Sequence, residues 1–168
     1  MMKSTSPRSK RFEASAAEIS GGGGSGGGGG GEITGKLIGT INMSKCADMG
    51  DEDGVFEKGK VKVVVEQGEC AQTVSEAVEN SQKYEFRVYA KMNMVFSASE
   101  EFSQLKITYS NYTGGSKTYF FDYEDIEGAT NEHDDDKGEA ILTLDEASEE
   151  FTVNCWHQTR VASVSFYA

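Results

Sequence analysis

From Lys36 to the C-terminus, side chains alternate in character at every second position, and that period fits strands and little else. Val61, Val63 and Val65 face one way, with Lys60, Lys62, Val64 and Glu66 opposite. Tyr84, Phe86, Val88 and Ala90 alternate with Glu85, Arg87 and Tyr89. The same rhythm runs through Leu37–Asn42, Met92–Ser97, Leu105–Ser110, Tyr119–Tyr123, Ala140–Leu144, Phe151–Cys155 and Val161–Tyr167. This predicts about nine strands. Turn-forming residues separate them at Gly50–Gly54, Gly68, Ser97–Glu101, Asn111–Ser116, Gly128–Gly138 and Asp145–Glu149. One half-polar face per strand implies antiparallel sheets with a solvated side. Short strands without intervening helices predict an all-β, antiparallel two-sheet sandwich. Thr73–Asn80 is the one helical candidate within it, with Val74, Ala77 and Val78 on a shared face.

The N-terminal region cannot join that core. Gly21–Gly31 is unbroken glycine except for Ser25 and holds half of the chain's 20 glycines. Such a run has the largest backbone entropy to lose and nothing to bury, so it is expected to stay a coil spanning on the order of 20 Å. Residues 1–31 therefore read as a disordered arm with a glycine-rich linker, and residues 32–168 as the folded domain. The basic N-terminus Met1–Arg11 has no apolar stretch after it and is not a secretory signal. No stretch approaches the roughly 18 apolar residues of a membrane span.

Charge narrows the partners. Residues 1–33 hold Lys3, Arg8, Lys10 and Arg11 against Glu13, Glu18 and Glu32. Of the chain's 16 basic and 28 acidic residues, 12 and 25 remain, a net charge of −13. A domain this acidic repels phosphate backbones and anionic headgroups, which argues against nucleic acid and membrane partners. Three cysteines without tight spacing, Cys46, Cys70 and Cys155, form neither a zinc pattern nor a disulfide framework. Reduced, mostly buried thiols are the favoured reading over one disulfide and a free thiol.

Two segments resemble a known family. Tyr84–Ser99 followed by Gln104–Tyr109 is similar to the run of jelly-roll domains, galactose-binding-like sandwiches of secreted and surface Bacteroidetes proteins, in which an arginine–aromatic strand leads into an apolar-x-apolar-Ser-Ala stretch. Phe151–Tyr167 resembles that family's last two strands, joined by a short turn with an arginine. Two departures stand out: Lys91-Met92 replaces the usual Lys-Gly turn, and Glu139–Leu144 lacks the expected tryptophan. The resemblance implies a jelly-roll sandwich at a cell surface or outside the cell, and it carries over no catalytic residue.

The candidate sites are few. Trp156, His157 and Arg160 sit together at the last turn, and Tyr112 lies in a polar loop. Aromatic faces stack on sugar rings and planar polar groups read hydroxyls, so these are the candidate ligand-binding residues. Core packing competes for the aromatics, and acidic neighbours compete for Arg87 and Arg160. Asp48, Asp51 and Asp53 in one acidic segment, and Asp134 and Asp136 in another, are the candidate metal ligands. Ca²⁺ is the cation such oxygen donors would take, although a solvated turn and a disordered acidic hairpin loop are the favoured readings. No cofactor is called for. The chain has two histidines and no Gly-x-Ser-x-Gly, His-Glu-x-x-His or phosphate loop. The sequence thus predicts a binding or accessory module without enzymatic activity, for a glycan or protein at a surface. The alternative is a structural spacer or virion decoration domain with no ligand of its own.

Overall fold

The computed structural model describes residues 31–82, 84–110 and 126–168. Among these residues eight strands and one α-helix follow in order, with a short 3₁₀ turn at Ser44–Cys46: β1 (Leu37–Asn42), β2 (Val55–Lys58), β3 (Val61–Glu66), α1 (Val74–Ser81), β4 (Phe86–Val88), β5 (Asn93–Ser110), β6 (Ala129–Asp134), β7 (Glu139–Asn154) and β8 (Thr159–Tyr167). All eight strands belong to one antiparallel sheet that does not close on itself. The all-β reading therefore holds. No described helix is long and apolar enough to cross a membrane.

The strand inventory differs from the expected nine in instructive ways. Ser97–Glu101 and Asp145–Glu149 are bends inside the long strands β5 and β7 rather than turns between short ones. The register between these strands shifts between Ser97 and Phe102, and again before Gln104. Such irregularities bend a strand without ending its ladder. The first part of β5 lies between β3 and the end of β7, and its second part between the start of β7 and β8. The buried set changes phase at the same place, from Met94, Phe96 and Phe102 to Leu105, Ile107 and Tyr109. Each long strand thus serves both ends of the sheet. The expected strand at Tyr119–Tyr123 lies outside the described residues, as does the arm up to residue 30.

Two strands appear outside the expected set, one of them, β6, where a loop was expected. β2 pairs with β3 through the two-residue connection Gly59-Lys60. β6 pairs with β7 from Ala129↔Leu144 to Asp134↔Glu139, so most of the acidic segment is ladder rather than disordered loop. Its composition is poor for a strand. The exposed edge of β7, rich in buried apolar residues, recruits it through backbone bonds that do not depend on side chains.

The core lies between the bent portions of the sheet. Phe166 on β8 meets Phe102 edge-on at 5.2 Å and Phe96 at 6.3 Å, and all three are fully buried. β1 crosses close over β3, where a Cβ at Gly39 would stand 2.9 Å from Val61 Cγ2. β8 itself changes phase at Ala162. Val161 faces inward, and so do Val164 and Phe166, because the register shifts by a residue between Thr108 and Tyr109 of β5. The Ala162 carbonyl left by that irregularity accepts from the Met43 N–H at 2.9 Å.

Helix α1 forms where expected. Thr73 caps it: its hydroxyl accepts from the Glu76 N–H, and the Glu76 carboxylate accepts from the Thr73 N–H at 2.6 Å. Ala77 and Ser81 turn inward.

Residues 31–36 form a strap across the outer face of β5 and β7. Its anchor is Gln104, a buried amide only 4 % exposed. Gln104 Oε1 accepts from the Thr34 N–H (2.8 Å) and hydroxyl (3.2 Å). Its Nε2 donates to the Glu32 carbonyl (2.8 Å) and to Thr143 Oγ1 (3.2 Å). The Ala168 N–H closes the strap by donating to the Lys36 carbonyl.

Candidate functional site

The sequence places Arg87 between two apolar residues, Phe86 and Val88, and Arg160 between Thr159 and Val161. In a strand this alternation sends the neighbours inward and the arginine outward. Phe86, Val88, Thr159 and Val161 are all buried. β4 pairs with the start of β8 in the register Phe86↔Val161, Arg87↔Arg160 and Val88↔Thr159, so the two arginines stand directly opposite each other. The chain has four arginines, and Arg8 and Arg11 lie in the N-terminal arm. Both arginines of the folded domain are therefore cross-strand neighbours on one face.

Several contacts position this pair. The Arg87 N–H donates to Ser81 Oγ, which itself donates to the Ala77 carbonyl, and this fixes β4 to the end of α1. The Phe86 ring packs edge-on against Phe56 at 5.0 Å. The Arg87 guanidinium lies over the Tyr89 ring, 4.7 Å from its centroid, and donates to Gln158 Oε1 at 3.0 Å. Asn80 Nδ2 donates to the Tyr89 hydroxyl at 2.9 Å, which fixes that ring. The Arg160 guanidinium lies 5.2 Å from the centroid of Tyr84. Tyr84 is 56 % exposed, and its carbonyl accepts from the Lys45 N–H at 2.7 Å. Trp156, 62 % exposed, stands on the connection between β7 and β8. That connection is pinned by the Cys155 N–H donating to the Met92 carbonyl and by the Lys91 N–H donating to the Cys155 carbonyl.

Of the candidate ligand residues, Trp156, His157 and Arg160 share this end of the sheet, and Tyr112 lies outside the described residues. Arg87, Tyr84 and Tyr89 join them. Sequence spacing does not bring these three to the last turn, because their placement depends on β4 pairing with β8 far along the chain, as the Arg87–Gln158 bond across 71 positions also shows. The chemistry gathered here is two planar cations stacked on tyrosines, with an exposed indole on the connection that leads into β8.

The candidate metal ligands are arranged differently. Asp48 Oδ2 accepts from the Asn42 N–H at 2.6 Å and lies 3.5 Å from Lys58 Nζ. Asp53 accepts from Ser75 Oγ at 3.2 Å, near the start of α1. Asp51 is exposed. Asp134 Oδ1 accepts from the N–H groups of Asp136 (3.1 Å) and Lys137 (3.2 Å), and Asp136 is exposed. These bonds, led by that from the Lys137 backbone, hold the Asp134 carboxyl below its ordinary value. Asp134 and Asp48 thus fasten turns. Among the described residues no three His, Cys, Asp or Glu side chains are grouped to hold a metal ion. Asp135 instead accepts from the Tyr109 hydroxyl at 2.6 Å and lies 3.0 Å from His133 Nδ1, tying the β6–β7 turn to β5.

All three thiols are free. Burial raises Cys155 well above the ordinary thiol value, with Cys70 adding to it. Burial also raises Cys46, helped by the Asp53 charge. Raised thiols are poor nucleophiles at neutral pH. A cleft of about 210 Å³ lies beside the β2–β3 turn, lined by residues that include Lys60, Lys62 and Ser99. It is smaller than a typical small-molecule pocket, and Lys60 is engaged by Glu100 at 2.9 Å.

Fold and site define an all-β antiparallel protein with a surface arginine–aromatic cluster. Comparison with protein-family models, with curated proteins and with solved structures found no match for the chain.

Proposed function

We propose that the chain is a non-catalytic binding module that engages a glycan at a cell surface or outside the cell, with its bent sheet a variant of the jelly-roll sandwich. The observation that carries this reading is the set of planar groups at one end of the sheet: Trp156 and Tyr84 exposed, and Arg87 and Arg160 side by side. Sugar rings offer apolar faces for stacking and hydroxyls for planar donors. A β scaffold presents both without a deep pocket, and the Arg87 guanidinium and the Tyr89 ring are already held by Gln158 and Asn80. Pre-organised groups lose less entropy on binding.

A glycan array probed with the full chain tests this. Binding to defined saccharides that falls at least tenfold in Trp156→Ala, with an unchanged melting temperature, supports it. No retained saccharide, together with self-association of the chain, would favour a structural spacer instead.

A further inference from the structure

We infer that Asn42 is an acceptor for an N-linked glycan. This site uses none of the ligand residues and shares with the proposed function only the placement at a cell surface or outside the cell. The chain reads Asn42-Met43-Ser44, an asparagine followed two residues later by a hydroxyl, with no proline between. That triplet is the one N-glycosylation takes, provided the asparagine ends on the surface. Asn80, Asn93, Asn131 and Asn154 lack the third residue, and Asn111-Tyr112-Thr113 has it but lies outside the described residues. The amides differ in the same way. Asn80 Nδ2 donates to the Glu76 carbonyl and the Tyr89 hydroxyl, and Asn154 Nδ2 donates to Asn93 Oδ1. Asn42 is exposed at the last position of β1. Its Oδ1 accepts from the Ser44 N–H at 3.0 Å, a local turn that ties the amide oxygen and leaves Nδ2 donating to no described residue. Its backbone is fastened independently: the N–H donates to Asp48 Oδ2 at 2.6 Å, and the carbonyl accepts from the Asp48 N–H at 3.0 Å. The fold therefore asks nothing of Nδ2, and a sugar bonded there displaces no hydrogen bond. The Ser44 hydroxyl makes only a long bond, 3.4 Å to the Ala162 carbonyl, so little in the structure claims it.

The donor this chemistry needs is a glycan carried on a lipid diphosphate. Asn42 Nδ2 bonds to the anomeric carbon, the bond from that carbon to the phosphate oxygen breaks, and the lipid diphosphate leaves with the electron pair. The proton lost from Nδ2 goes to a base of the transferring enzyme.

The test expresses the full chain behind a secretion leader in cells whose secretory pathway N-glycosylates. Intact mass is read before and after an amidase that releases N-linked glycans and leaves aspartate, and peptide mass spectrometry locates that aspartate. Asn42→Gln, Ser44→Ala, Ser44→Thr and Asn111→Gln are compared with the parent, and each is checked for folding by its amide correlation spectrum. The expected result is conversion at position 42 in the parent, in Ser44→Thr and in Asn111→Gln. It should be lost in Asn42→Gln and Ser44→Ala, and the parent should give the same folded spectrum with and without the sugar. Secreted, folded parent without conversion at position 42 overturns the inference, as does conversion at position 111 alone. A glycan at position 42 found only on unfolded chains overturns it too, because the amide would then be needed by the fold. If position 42 stays unmodified while the chain still binds saccharides on the array, this site falls and the proposed function stands.

Discussion

Replacing Gln104 with alanine should release the strap without dissolving the sheet. The amide makes four hydrogen bonds, two by Oε1 to Thr34 and two by Nε2 to Glu32 and Thr143. A net hydrogen bond contributes about 1 kcal/mol, so about 4 kcal/mol is the ceiling. The partners lower it. Glu32, Thr34 and Thr143 are exposed residues, so water can take over much of their bonding once the amide is gone. A cost of roughly 2–3 kcal/mol follows. Urea unfolding of the full chain gives the total, and hydrogen exchange of the Thr34 amide gives its location. In the parent that amide donates to Gln104, and in Gln104→Ala it should exchange many times faster, while the Leu105 and Ile107 amides stay protected. Gln104→Glu should resemble the alanine variant at neutral pH, because a carboxylate cannot donate to the Glu32 carbonyl. If the Thr34 amide stays as protected in Gln104→Ala as in the parent, the strap is held by something else and the reasoning fails.

Other perturbations have separate readouts. Phe166→Ala removes the ring shared by Phe96 and Phe102 and should cost about 3–5 kcal/mol in urea unfolding. Gly138→Ala puts a Cβ 2.1 Å from the Tyr109 carbonyl oxygen at φ +69°, and should lower stability by at least about 2 kcal/mol. Gly59→Asn, at φ +60° with open space around it, should cost under about 1 kcal/mol in the same urea unfolding. The Asp134 carboxyl is lowered in the fold, so its contribution is fully present above the ordinary carboxylate value and fades as pH falls through the lowered one. Asp134→Asn should therefore flatten the acid limb of the stability curve. It should also loosen the Lys137 amide, as read by exchange at pH 6, and an unchanged acid limb would contradict the role given to this side chain. Cys70 and Cys155 should resist a thiol reagent at pH 7 until the chain unfolds, because both are buried, and Cys155 is also raised by burial.

The inward residues of β3, β4 and the two parts of β5 were legible in the chain because a strand exposes alternate sides, so their pattern is local. So was α1, whose capping box lies within four residues. The acidic segment at Asn131–Asp136 misled in one respect: its residues favour a loop, yet it pairs with β7. Backbone N–H and C=O groups are the same in every residue, so an available edge can override side-chain preference. Likewise Ser97–Glu101 has a turn's composition but stays in β5, where the Ser99 N–H donates to the Lys60 carbonyl. Trp156, His157 and Arg160 could be singled out by residue type and closeness in sequence. Their union with Arg87, Tyr84 and Tyr89 could not.

The amino-acid order alone determined that this chain would bury alternate side chains in antiparallel strands. Those are properties of near neighbours and of composition. Only the tertiary structure decided that two long strands bend and serve both ends of one sheet, that Gln104 clamps the strap, and that Arg87 faces Arg160. Each of those depends on which distant strand edge a segment meets, and hydrogen bonding between backbones leaves no mark on side-chain pattern.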